Sequence, residues 1–143
     1  MKKHSAFVII ALIFVTAANA QDLAGKDVPG AVIKALQNKY PEAKKVSWEK
    51  EKTNYEANWG GRSGEDNSVQ FTPAGDFIEI VNAMQVKDLP PSVITYVQQH
   101  CKGSKITEAG KVTDAKGKIF YEAEVNGKDI IFDEHGNFTK KES

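Results

Sequence analysis

The chain has 143 residues, a length that one globular domain can fill, with 41% hydrophobic and 27% charged residues, the balance of a folded protein and not of a disordered one. Lys and Arg number 19, as do Asp and Glu, so the formal charge is zero and the basic excess expected of a nucleic-acid binder is missing. A single cysteine excludes an intramolecular disulfide and a thiolate zinc site.

In chain order, a short positive segment (Met1–His4) precedes an apolar run from Ala6 to Ala18, and Ala18-Asn19-Ala20 supplies the small-x-small pattern of a signal-peptidase site. The run is too short to span about 30 Å of hydrocarbon comfortably. These features predict a signal peptide over 1–20, cut between Ala20 and Gln21, and a periplasmic or secreted product without a stable membrane anchor. Loss of Lys2 and Lys3 leaves 17 basic against 19 acidic residues, a net charge of −2.

A short segment, 21–27, leads to Val28-Pro29 and a helical pattern with apolar Val32, Ile33, Leu36 and Tyr40. Proline fits the first helical turn, and Pro41 ends the helix. The period then changes to two. Val46, Trp48 and Lys50, then Tyr55, Ala57 and Trp59, alternate with polar residues, as strands with one face on helices and one toward water would. A glycine-rich stretch, Gly60–Asn67, and a turn at Pro73–Asp76 follow. The pattern then recurs. Leu89-Pro90 opens a second helix with Val93, Ile94, Val97 and Cys101, each 61 positions beyond its counterpart; Gly103 suits its stop. Tyr121-Glu122-Ala123 repeats Tyr55-Glu56-Ala57, and Gly136 and Phe138 repeat Gly75 and Phe77. Asn126-Gly127 predicts a type I′ hairpin turn.

The expectation is an α+β fold of two tandem repeats, 28–86 and 87–143, together one compact domain. Each repeat would hold one helix and a three- to four-stranded antiparallel sheet, the sheets joining into one curved sheet with the helices on one face. The first repeat has extra length at Gly60–Asn67 and the second a longer opening hairpin from Lys105 to Val125, and loops that diverge on a shared scaffold are where binding is carried.

The order of a leader, a Val-Pro helix, Val46-x-Trp48, Tyr55-Glu56-Ala57, Phe71-x-x-x-Gly75, Leu89-Pro90 with a second helix, Tyr121-Glu122-Ala123 and Phe132-Asp133-x-x-Gly136 resembles the exported PepSY-like proteins, also described as β-lactamase-inhibitor-protein-like, of Bacteroidetes-type Gram-negative bacteria. The resemblance covers about Val28 to Phe138. It implies two helix-plus-sheet units forming one curved surface, a periplasmic or secreted address, and a binding or inhibitory role. Only Thr139–Ser143 follow Phe138, so a short or absent last strand is expected.

No grouping of catalytic residues emerges. His4 leaves with the leader, His100 adjoins Cys101 at a helix end, and His135 lies in a turn, so neither a metal site nor a cofactor is expected. Cys101 falls on an apolar stripe as a packing residue, and His100 points about 100° away from it on a helix. Glu56 and Glu122, at matched positions, are expected on the solvent face opposite cross-strand lysines. Trp48, Tyr55 and Trp59 can share one sheet face. That face is either core beneath the helices or an exposed aromatic surface for a protein or peptide partner, with Trp59 beside the glycine-rich loop and Arg62 at its tip. The functional expectation is an exported, non-catalytic binding protein whose tentative contacts are Trp59, Arg62, Trp48 and Tyr55. Its alternative is an inhibitor of a periplasmic or secreted peptidase or other hydrolase.

Overall fold

The computed structural model describes residues 21–141; the leader expected over 1–20 lies outside them. Helix α1 spans Gly30–Lys39 and helix α2 spans Pro91–His100. Each is amphipathic in the predicted sense, burying Val32 and Leu36 in α1 and Val93 and Val97 in α2. Pro29 and Pro90, expected inside the first turn, are instead the N-caps, both with ψ 137°. Pro90 cannot be helical because Pro91 follows it and its ring disfavours the α conformation in the preceding residue. Their carbonyls accept the N–H of Val32 and Val93, both at 2.9 Å.

The strands are β1 (Gln21–Leu23), β2 (Ser47–Glu51), β3 (Asn54–Trp59), β4 (Asn67–Phe71), β5 (Phe77–Met84), β6 (Ile106–Asp114), β7 (Ile119–Val125), β8 (Lys128–Asp133) and β9 (Phe138–Lys141). They form a single sheet in sequence order, every neighbour antiparallel. This corrects the expected fold class. The chain is mainly sheet, one nine-stranded meander with two helices, and not a pair of helix-plus-sheet repeats with three or four strands each. The reason lies at β5 and β6, whose long strands pair without interruption from Glu79–Asp114 to Met84–Ala109, so no seam divides the sheet. The segment read as leading into the first repeat also joins in, as β1 beside β2.

Local turn chemistry follows the sequence closely. Asn126 and Gly127 both take positive φ, 54° and 70°, which closes β7–β8 as a type I′ turn. β9 is short, at four residues.

Register separates the two faces. Trp48, Ala57, Val69 and Phe71 pack with Val32 and Leu36 of α1, and Ala109, Ala123, Ile130 and Phe132 pack with Val93 and Val97 of α2. Residues of the opposite parity form a third cluster, Val81, Val112, Phe120 and Ile131, made of strand residues alone. This helix-free face carries most of the buried polar groups: Glu56, Asn58, Ser68, Gln70, Glu79, Glu122, Glu124 and Asp129.

Candidate functional site

The loop from Gly60 to Asp66 joins β3 to β4 and is built to hold one shape. Gly60, Gly61 and Gly64 adopt φ of 90°, 67° and 84°, values that side chains with a Cβ rarely take. The Asp66 carboxylate presses against Gly61, occupying the space a Cβ there would need. The Asp66 carbonyl accepts the Ala83 N–H at 2.9 Å, Asn67 Nδ2 donates to the Trp59 carbonyl at 3.2 Å, and Asn82 Nδ2 donates to Asn67 Oδ1 at 2.9 Å. The loop is thereby tied back to the strand ends on both sides.

Beneath it lies a cavity of about 310 Å³, bounded by Ser63, Glu65 and Asp66 of the loop, Ala83–Val86 at the end of β5 and just beyond it, and Thr107–Ala109 of β6. Its walls bring together carboxylates from distant parts of the sequence. Glu108 is held above the ordinary carboxylate range by burial first, then by the charges of Glu124 and Glu65. Glu49 is raised likewise, by burial, then by Asp22, Glu65 and Glu51. Glu65 thus acts on both, linking the cavity to the helix-free face of β2.

On that face the register writes a continuous row: Asp22 opposite Glu49, Glu49 opposite Glu56, Glu56 opposite Gln70, Gln70 opposite Glu79, and Glu79 opposite Asp114. Five carboxylates and one amide cross six strands. Burial pushes the Glu56 carboxyl up to about 7; hydrogen bonds from Asn58 and Gln70 pull against that, and Glu49 and Glu51 add to it. Beside the row, Ser68 Oγ donates to Asn58 Oδ1. Among the described residues, no group of three or more His, Cys, Asp or Glu is placed to hold a metal ion.

The residues singled out from sequence fall in two environments. Trp48 and Trp59 are 8% and 6% exposed and belong to the α1 core, Trp59 against the Tyr40 ring at 5.3 Å. Packed beside α1, they expose little of their side chains. Tyr55, half-buried on the same face, lies beneath Lys50 Nζ at 5.6 Å. Arg62 is exposed on the loop but outside the cavity wall. Glu56 and Glu122 are not the solvated, lysine-paired residues expected. They are 7% and 1% exposed, and their register partners are Glu49 and Gln70 for the first, Gly110 and Ile131 for the second.

His100 ends α2, its Nδ1 2.9 Å from the Tyr96 carbonyl, whereas His135 sits in the β8–β9 turn, whose carbonyl accepts from Ser92 near the start of α2. The two lie toward opposite ends of that helix. Cys101 is the C-cap of α2, half-buried against the second core cluster.

The residues missed were Glu65, Glu108 and Gln70. Only Gln70 carried a signal, since the alternate positions of β2, β3 and β4 hold acids and amides and no lysine (Glu49, Glu51, Glu56, Asn58, Gln70), whereas Glu65 in the loop and Glu108 on β6 lie outside that pattern. Polarity in a two-residue period suggests a solvated face, whereas burial makes this one an interior face.

A family model described as "Putative beta-lactamase-inhibitor-like, PepSY-like" matches residues 15–62 and 60–140. The chain belongs to the PepSY-like family. Solved structures similar to this PepSY-like protein include one from Bacteroides eggerthii described as a "putative periplasmic" protein (20% identity, TM-score 0.68, covering 80% of this chain and 88% of that one). A DUF2874 family protein of Bacteroides uniformis shows 21% identity and TM-score 0.67, with 79% and 87% covered. A BLIP-like protein of Bacteroides fragilis shows 21% identity and TM-score 0.61, with 80% and 85% covered. At such identities the likeness is one of fold. No curated protein matches the PepSY-like chain.

Proposed function

We propose that this PepSY-like protein is an exported, non-catalytic binding protein of the periplasm that engages a protein or peptide partner at the acidic cavity beneath the Gly60–Asp66 loop. The observation that carries the proposal is the cavity itself: a loop pinned by three positive-φ glycines and backbone ties, roofing a volume of about 310 Å³ between Glu65, Asp66 and Glu108. Such preorganisation lowers the ordering cost of association. The leader features of residues 1–20 and the periplasmic description of the fold relative from Bacteroides eggerthii support the address. Arg62, exposed on the same loop, is placed to meet the partner at the rim.

The test is affinity capture from the native envelope with the exported protein as bait, beside a Glu65→Lys, Glu108→Lys variant. One recurrent partner, captured by the parent and lost from the variant at an unchanged melting temperature, is the expected result. Equal capture by both would move the contact off the cavity. The family description favours a second reading, inhibition of a periplasmic or secreted hydrolase. Stoichiometric loss of activity when a panel of such hydrolases is titrated would support it, and unchanged activity across the panel would remove it.

A further inference from the structure

We propose that the row on the helix-free face, centred on Gln70, receives a lysine- or arginine-rich polypeptide segment in extended form. This rests on the binding reading above and specifies the chemistry of its partner. The first observation is the row's composition: Asp22, Glu49, Glu56, Glu79 and Asp114 meet across six strands, with Gln70 among them. Like charges directly opposite one another weaken a sheet, so a cationic occupant has a repulsion to relieve.

The second observation is independent of charge. Gln70 is 1% exposed, its Nε2 donates to Glu56 Oε2 at 3.4 Å, and its Oε1 has no hydrogen-bond partner. A buried acceptor left without a donor is costly. In a row of carboxylates the missing donor is an N–H of an ammonium or guanidinium group, which donates and cannot accept.

Shape selects a polypeptide over a small cation. The acids are strung one per strand across a span of about 24 Å, taking about 4.8 Å between strands, and roughly seven extended residues cover that length. They are not gathered about one point. Access is graded along the row: Asp22 is exposed, Glu49 and Asp114 are half-buried, and Gln70 lies deepest. A backbone lying over the row can therefore send a long basic side chain inward to Gln70 Oε1 while its other charges meet Asp22 and Glu49.

The probe is heptalysine, titrated calorimetrically into the full exported protein at low ionic strength. Saturable one-to-one binding is expected, weakened tenfold or more by Glu49→Gln with Glu79→Gln and several-fold by Gln70→Met. Glu42→Gln with Glu134→Gln, which removes the same charge away from the row, should leave affinity unchanged. If Gln70→Met fails to fold, Gln70→Glu replaces it and should bind at least as tightly as the parent. The proposal is overturned by an absence of binding, or by equal weakening from the Glu42 and Glu134 pair. Calcium or spermine binding with the same dependence on Gln70 would also overturn it, assigning the row to a small cation. So would a Gln70-dependent dimer in sedimentation, which would make a second copy the occupant. If heptalysine fails while the envelope partner still depends on Glu65 and Glu108, the binding reading stands and this one falls.

Discussion

Glu56 shows what the helix-free face does to a single residue. Its carboxyl faces Glu49 and Glu51 on β2 and the neutral Gln70 on β4, with Glu79 one strand further on, and burial is the main force raising it to about 7. In the unfolded chain the same group titrates near 4.5. The folded state therefore keeps this proton over a range in which the unfolded state has lost it. The resulting stability is fully present below about pH 4.5 and is lost as pH rises through about 7, a swing of roughly 3 kcal/mol. Thermal melts should accordingly show a lower midpoint at pH 8.5 than at pH 5.5. Glu56→Gln, neutral throughout, should raise the midpoint at pH 8.5 and flatten the difference; an unchanged pH dependence in that variant would assign the titration to another group. Trp59 gives the opposite lesson at the same scale. With 6% exposure and a Tyr40 ring against it, truncation to Ala should cost about 3–5 kcal/mol in chemical denaturation, as a core aromatic does.

At the scale of elements, the Gly60–Asp66 loop is the part whose role depends on staying rigid. Gly61 combines φ of 67° with the Asp66 carboxylate packed where a Cβ would stand. Gly61→Ala must strain the backbone and displace Asp66, and Asp66 is what ties the loop to β5 through the Ala83 N–H. Its left-handed conformation alone costs about 1–2 kcal/mol for an alanine. Hydrogen exchange should report the change locally, with the Ala83 amide losing protection while amides of α2 and β8 keep theirs. Gly64→Ala is the control: its φ of 84° is equally unfavourable, yet nothing lies within 4 Å of a Cβ there. It should weaken the fold without releasing Ala83.

For the molecule as a whole, the helices, the type I′ turn at Asn126-Gly127 and the strands of β2, β3 and β7 were legible because each rests on a local period or a local φ requirement. The single sheet was not legible, because the pairing of β5 with β6 spans the whole of α2 and nothing local announces which distant strand completes an edge. The acidic row escaped for a related reason. Alternation shows that Glu49, Glu56 and Gln70 share a parity, but only the register shows them aligned, and only burial distinguishes that row from a solvated one. Continuity across β5 and β6 has a thermodynamic consequence. Val81 and Val112 are register partners at the centre of this join and are 0% and 4% exposed, so the two halves share core as well as hydrogen bonds. Unfolding one half would expose an edge and an apolar cluster of the other, which couples them into one cooperative transition. The two tryptophans provide the test, because Trp48 and Trp59 both sit in the α1 half. Their fluorescence reports that half alone, whereas far-ultraviolet circular dichroism reports every strand and both helices. The two denaturation curves should superimpose, and Val112→Ala, which removes two buried carbons, should shift both midpoints together by about 1–2 kcal/mol. A fluorescence midpoint separated from the dichroism midpoint would instead show two halves that unfold independently despite their common sheet.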